Sequence, residues 1–286
     1  MNLELLVDEQ YEHPEGIVWD ARRKRLLWVD VVKGDVVTYD PSRGELSKAN
    51  VGQWVGAVAP RRDGGVVCAC ADGFGLLDED GSFRIVAPVL ADEPKLQLND
   101  GGVDPAGRFW AGGLTFEYET KPGITALWRL DPDGTATVQL EGISVSNGIA
   151  WSADGTRCYY VDSATYRLDE LDFDVDSGTL GARRPLASFD TLPDGIAVDV
   201  DGCIWVALFR GWEVQRITPE GKVDRTIRLP GSQVTTCAFG GDDLRTLYIS
   251  VSPYGLPPER HASETSGYLY AVDVGVQGLE LPEFAG

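Results

Sequence analysis

The sequence predicts an all-β chain closed into a six-bladed β-propeller with four-stranded blades, a single domain over residues 1–286. Three observations carry that expectation. A short signature recurs six times at the spacing of a propeller blade. The runs between signatures are β-branched and aromatic, bounded by Gly, Pro and Asp, and none sustains a helical period. An apolar run stands outside the repeat at each end, where a closed ring recruits a terminal strand to seal its last blade.

The repeat is clearest when Ser146-Asn147-Gly148-Ile149-Ala150 is laid over Pro193-Asp194-Gly195-Ile196-Ala197. Asn147 and Asp194 each stand eight residues before the glycine of a following turn, Gly155 and Gly202. The same offset marks Glu15 before Arg23, Gly56 before Gly64, Asn99 before Gly107 and Thr236 before Leu244. Positions 15, 56, 99, 147, 194 and 236 are 41, 43, 48, 47 and 42 residues apart, the length of four short strands with their turns. Equivalent positions of every blade face one axis, so Glu15, Asn99, Asn147, Asp194 and Thr236 are expected at one end of the central channel.

In chain order, residues 3–7 form the run before the first signature and residues 268–274 the strand after the last; these two are expected to share a blade. Each repeat then supplies an inner strand, an Asp-Gly-type turn and a second strand, as at residues 26–29, 66–69, 108–111 and 158–161. Outer strands follow, as at residues 126–130. The loops after the second strands return to the face of the six positions. Those at residues 113–123 and 252–267 are long, and long loops in a compact domain carry lids or binding surfaces. Phe116, Tyr118, Tyr166, Phe209, Trp212 and Tyr254 on these loops are candidate pocket walls, with packing of the loop itself as the competing role.

Composition narrows the partners. Lys+Arg of 25 against Asp+Glu of 45 gives a net charge of −20, which repels nucleic acid and anionic membrane surfaces and favours cations as guests. No basic start leads into an apolar run, and no window approaches the twenty apolar residues of a membrane span, so a cytoplasmic monomer or weak homo-oligomer is expected. Five cysteines lie mostly inside strand-like runs and read as small reduced core residues.

Glu15, Asn147 and Asp194 offer two carboxylates and an amide, an all-oxygen donor set for one divalent cation, Ca²⁺, Mg²⁺ or Mn²⁺, with Zn²⁺ tolerated. Three protein ligands leave room for water and substrate, an arrangement suited to carbonyl hydrolysis with a neighbouring carboxylate taking the proton. Asn147-Gly148 and Asp194-Gly195 also read as simple turns, because Asx-Gly pairs are the commonest turn signals. Glu15-Gly16 does not, since Glu is not a turn residue. With His13 and His261 the only histidines and no Gly-x-Ser-x-Gly elbow, nucleophilic triads have few possible bases. His13 stands two residues before Glu15, where it borders the site or fills an alternating strand. P-loop, dinucleotide and His-Glu-x-x-His motifs are missing.

Five motifs in order, from about residue 15 to residue 272, resemble the senescence marker protein/regucalcin/gluconolactonase family, which includes luciferin-regenerating enzymes. They are Glu15-Gly16-Ile17-Val18-Trp19-Asp20, Leu98-Asn99-Asp100-Gly101-Gly102, Ser146-Asn147-Gly148, Pro193-Asp194-Gly195 and Cys237-Ala238-Phe239-Gly240-Gly241. The resemblance implies a sugar-acid lactonase with one divalent cation held by Glu15, Asn147 and Asp194. Asp194 would be the general base, and Asn99 would contact substrate and the water at the cation. Two places depart from the family pattern. Gln97 stands where relatives carry a substrate-binding Arg, and the 115–123 lid has no clear counterpart. Arg210, in Phe209-Arg210-Gly211-Trp212, is a candidate to restore the missing cation, so Gln97, Asn99, Tyr118, Phe209, Arg210 and Trp212 form the expected substrate set. A paraoxonase-like or strictosidine-synthase-like propeller acting on hydrophobic esters or amines, and a metal-plugged ligand-binding propeller, are the alternatives.

Overall fold

The computed structural model describes residues 2–261 and 263–286, apart from the side chain of His261, and its strands form six four-stranded antiparallel sheets. The first blade is β2 (Pro14–Asp20), β3 (Arg25–Asp30), β4 (Asp35–Asp40) and β5 (Glu45–Asn50). The second is β6 (Val55–Pro60), β7 (Val66–Cys70), β8 (Gly73–Leu77) and β9 (Phe83–Ala87). The third is β10 (Leu96–Val103), β11 (Phe109–Thr115), β12 (Thr125–Leu130) and β13 (Ala136–Ile143). The fourth is β14 (Ser146–Trp151), β15 (Arg157–Asp162), β16 (Arg167–Asp174) and β17 (Thr179–Ser188). The fifth is β18 (Leu192–Val198), β19 (Ile204–Phe209), β20 (Glu213–Ile217) and β21 (Val223–Arg228). The sixth combines β22 (Val234–Gly240), β23 (Thr246–Val251) and β24 (Tyr268–Asp273) with β1 (Glu4–Leu5) from the other end of the chain. Glu4 pairs with Ala271 and Leu5 with Tyr270, so the two termini do share a blade, with β1 as its outer strand. No helix among the described residues is long and apolar enough to cross a membrane.

Each innermost strand slips its ladder at the signature. Pairing jumps from Glu15 to Val18, Val55 to Ala57, Leu98 to Gly101, Ser146 to Ile149, Pro193 to Ile196 and Val234 to Cys237. Such bulges release a side chain from the pleat and re-aim it, here toward the neighbouring blade and the axis.

Two sequence expectations need correcting. Asn147-Gly148 and Asp194-Gly195 are not turns; they lie inside β14 and β18, and neither glycine has positive φ. Glycine is required because the next blade approaches: a Cβ on Gly148 would stand 2.8 Å from the Asp194 carbonyl, and one on Gly195 2.4 Å from Thr236 Oγ1. In the sixth blade the register puts Thr235, not Thr236, at the position of Asn147 and Asp194. The eight-residue offset failed there because the following turn is longer. Its left-handed residue is Leu244 at φ 54, nine beyond Thr235, just as Lys24 at φ 53 stands nine beyond Glu15.

A second regularity stiffens the blades. Five residues after the third and fifth signatures stand Asp104 and Asp199, both fully buried. Asp104 accepts from the backbone N–H groups of Ala106 and Arg108, from Arg108 Nε and, at 2.9 Å, from Trp110 Nε1. Asp199 accepts from the N–H groups of Asp201 and Cys203, from Trp205 Nε1 at 2.8 Å and from Arg216 Nε at 2.8 Å. One carboxylate thus closes the turn and fixes a fully buried indole between sheets, where aromatic and β-branched cores join neighbouring blades. Asp104→Ala strands the Arg108 charge and the Trp110 N–H, and is expected to cost about 3–5 kcal/mol in urea unfolding. All five cysteines are free and buried.

Candidate functional site

The bulges bring Glu15, Asn99, Asn147 and Asp194 to the axis from four blades. Asn99 Nδ2 donates to the Ser146 carbonyl at 2.9 Å and to Asn147 Oδ1 at 3.2 Å. Asn147 Nδ2 donates to Ser163 Oγ at 2.8 Å, which fixes the amide with Oδ1 on the Asn99 side. Ser163 Oγ donates in turn to the Pro193 carbonyl at 2.5 Å, immediately before Asp194. Glu15 Oε2 accepts only its neighbouring Gly16 N–H, at 3.0 Å.

Burial makes this an electrostatically unsatisfied place. Glu15, Asn147 and Asp194 are 7%, 6% and 5% exposed, and Asp194 Oδ1 has no hydrogen-bond partner. Desolvation, then the charge of Asp100, holds the Glu15 carboxyl well above the usual range. Desolvation, then Glu15 and Asp100, does the same to Asp194. Asp100, a third buried carboxylate that the sequence reading did not single out, is pushed up by burial to about 6 and accepts from Gly101 N–H at 2.7 Å. Among the described residues no Lys or Arg pairs with any of the three. The expected ligands therefore fit a divalent cation: oxygen donors from three blades, an orphaned buried carboxylate oxygen and no protein charge to balance it. No cluster of three or more His, Cys, Asp and Glu ligands forms among the described residues, so the set depends on the Asn147 amide.

The loops on this face divide between aromatic and cationic. His13 stacks on Tyr254 with centroids 4.9 Å apart, Tyr254 meets Trp54 edge-on at 6.1 Å, and Trp54 meets Phe116 edge-on at 5.9 Å. The four rings form an arc from the sixth blade across the first two to the lid of the third. Trp54 was not legible as a wall because it precedes an innermost strand instead of following a second one. His13 Nδ1 lies 2.8 Å from Ser252 Oγ, and burial lowers its imidazole to about 4, so it is a neutral wall at pH 7. The lid is held by Glu117, whose two oxygens meet Lys95 at 2.9 Å and Lys121 at 2.7 Å; Tyr118 is half-buried beside it.

Across the mouth, the fifth blade presents Phe209 at the end of β19, the strand paired with that of Asp194, and Arg210 and Trp212 directly after it. Arg210 and Trp212 both adopt left-handed backbone, at φ 67 and 64, a strained conformation for side-chain-bearing residues. Arg210 is exposed, lies over the Phe209 ring at 5.7 Å and has no ion pair among the described residues, whereas Trp212 packs under Arg260. Tyr166, after the second strand of the fourth blade, is exposed. Gln97 is buried on β10, two residues before Asn99.

A partly open cavity of about 290 Å³ lies behind the ring along the axis, lined by residues that follow the signatures, among them Ile17, Asp100, Ile149, Ile196 and Thr236, and by residues 279–282. None of Glu15, Asn99, Asn147 and Asp194 lines it. Asp100 therefore sits between the acidic ring and this rear chamber.

Residues 13–252 match the model of the SMP-30/Gluconolactonase/LRE-like region. Regucalcin of Xenopus laevis is 35% identical over 298 residues, an alignment that covers 100% of this chain and 99% of the relative. A solved luciferin-regenerating enzyme superposes with a TM-score of 0.91 at 28% identity, over 100% of this chain and 99% of that one. A calcium-binding regucalcin from Agrobacterium tumefaciens superposes with a TM-score of 0.93, over 99% and 97% of the two chains; at 24% identity that likeness is one of fold. The chain belongs to the SMP-30/gluconolactonase/LRE-like family of six-bladed propellers.

Proposed function

We propose that this chain is a divalent-cation-dependent lactonase that opens a sugar-acid or similar small lactone by water attack. The observation that carries the proposal is the buried, partnerless Asp194 Oδ1 beside Glu15 and the Asn147 amide, with no basic side chain among the described residues to balance them. When bound, the cation supplies a Lewis acid for the lactone carbonyl and its developing oxyanion. Glu15 and Asp194 would give carboxylate oxygens to it and Asn147 its Oδ1. Any of Ca²⁺, Zn²⁺, Mn²⁺ and Mg²⁺ is compatible with such a set.

Asp194 would accept the proton of the attacking water and return it to the ring oxygen as the acyl C–O bond breaks. Asn99 spends its Nδ2 hydrogens on the Ser146 carbonyl and Asn147 Oδ1, which leaves its own Oδ1 to orient that water or a substrate hydroxyl. Gln97 hydrogen-bonds the substrate without charge, and Arg210 supplies the cationic contact from the opposite wall. Tyr118, Phe209 and Trp212 complete the substrate walls. Arg210→Ala is expected to raise KM about 10-fold with a smaller change in kcat; unaltered kinetics would remove Arg210 from the substrate set. The proposed enzyme is a cytoplasmic monomer or weak homo-oligomer that acts on a small molecule, not on nucleic acid or membrane.

A panel of lactones followed by pH indicator, with and without chelator, tests the proposal. Turnover that chelator abolishes and added divalent cation restores is expected; no turnover of any lactone by the cation-loaded protein would refute it. One observation favours a second reading, hydrolysis of more hydrophobic esters: the aromatic arc of His13, Tyr254, Trp54 and Phe116 offers half the mouth to an apolar group. A paraoxonase-like mechanism needs a histidine base, so activity that survives His13→Ala and His261→Ala together supports the carboxylate-based lactonase.

A further inference from the structure

We propose that Thr235 and Ser163 are positioning residues of the cation centre, acting through the peptide carbonyls that precede Glu15 and Asp194. The inference rests on the cation reading above and extends it to two hydroxyls that reach no ligand atom of a carboxylate. Thr235 Oγ1 donates to the Pro14 carbonyl at 2.8 Å, across the boundary from the sixth blade to the first. Ser163 Oγ donates to the Pro193 carbonyl across the boundary from the fourth blade to the fifth. Asn99 Nδ2 does the same to the Ser146 carbonyl, from the third blade to the fourth.

The three pinned carbonyls belong to the residues directly before Glu15, Asn147 and Asp194. At the other three signatures the corresponding carbonyls are those of Val55, Leu98 and Val234, and no side chain among the described residues donates to them. The pins thus coincide with the expected ligands and with nothing else in the sixfold ring.

The choice of donor follows the same logic. At two boundaries the pin is the signature residue of the preceding blade, Asn99 or Thr235, both free of ligand duty. At the third boundary that residue is Asn147, an expected ligand whose Oδ1 accepts from Asn99 Nδ2. Ser163, at the end of the neighbouring second strand, takes over: it accepts from Asn147 Nδ2 at 2.8 Å and passes its own proton to the Pro193 carbonyl. Ser163 therefore orients one ligand amide and the peptide before another.

Both hydroxyls are buried, and Thr235 Oγ1 is itself backed by Ser250 Oγ at 2.6 Å. A pinned carbonyl fixes the plane of the peptide that leads into the ligand residue, and so the direction of its Cα–Cβ bond. The three ligands come from three blades, and their separation is only as constant as those boundaries. Groups that orient ligands without touching the ion govern affinity in this way.

The test is calorimetric titration of Ca²⁺ and Mn²⁺ into the chelator-stripped full chain, with thermal unfolding of the same cation-free samples. Thr235→Val keeps the shape and deletes the hydroxyl, Ser163→Ala deletes the other, and Thr235→Ser restores a donor. The expected result is cation affinity weakened by about 10–100-fold in T235V and S163A and within about 3-fold of wild type in T235S. Wild-type affinity in T235V and S163A, with only a lowered unfolding temperature, would make the pins mere ring braces and overturn the inference. If T235V fails to fold, S163A and T235S decide the matter alone. Wild-type protein that binds neither ion would instead overturn the cation reading itself.

Discussion

Asp194→Asn is expected to bind no divalent cation, to lose lactone turnover by about a thousandfold or more, and yet to unfold at a higher temperature than wild type when both are cation-free. The first two effects follow from removing a ligand and the proton acceptor together. The third follows from the environment: burial and the charges of Glu15 and Asp100 oppose ionisation of Asp194, so replacing it with a neutral isostere relieves like-charge repulsion in the fold. A gain of about 1–3 kcal/mol is expected, read from urea or thermal unfolding. A variant with full turnover would end the assignment of Asp194. One less stable than wild type without cation would show that the carboxylate is held by something other than an ion.

The second large effect is on pH dependence. Glu15 and Asp194 have folded pKa values raised above their unfolded ones, so folding opposes their ionisation. Below about pH 4 both are protonated in either state and cost nothing. As pH rises through the folded values the penalty grows to its full size, and the cation-free protein loses that much stability. Surface carboxylates work in the opposite sense: Glu117 is held down to about 2 by Lys121 and Lys95, and loses its contribution only in strong acid. The difference in unfolding free energy between wild type and Asp194→Asn isolates the buried pair and is expected to widen in the variant's favour from pH 4 to pH 8. Cation binding should cancel that trend. At a hundred times the dissociation constant it adds about 2.7 kcal/mol, roughly 4–5 °C for a chain of this size. Affinity should rise with pH, since both carboxylates must lose their protons to bind. A flat difference curve would mean that the two groups are not the buried like charges described.

The architecture was legible because its determinants are local and repeated. Strand periodicity, the Asp-Gly turns and the spacing of the signatures each specify a blade, and the terminal runs needed only one another to close the ring. The axial residues were legible from the same repetition: Glu15, Asn99, Asn147 and Asp194 each arrive where the spacing placed them. Thr236 did not, since one extra residue in the turn before Leu244 shifts the register and hands the position to Thr235. The glycines misled in another way. Gly148 and Gly195 look like turn residues in sequence, but their reason is the approach of the next blade's backbone, which no local pattern records.

What the sequence could not carry is contact between blades. Ser163 is an ordinary serine after a strand until the fold sets it between Asn147 and Pro193. Trp54 becomes a wall only because Phe116 and Tyr254 come to it from other blades. Asp100 stands in the Leu98-Asn99-Asp100-Gly101-Gly102 motif, yet its position beneath the ring depends on a bulge that breaks the alternation along β10.

Anomalous diffraction from crystals soaked in Mn²⁺ addresses the cation centre directly. One strong peak per chain is predicted on the propeller axis, within about 2.0–2.6 Å of oxygens from Glu15, Asn147 and Asp194. A well-bound ion elsewhere, with those three side chains left unligated, would contradict it.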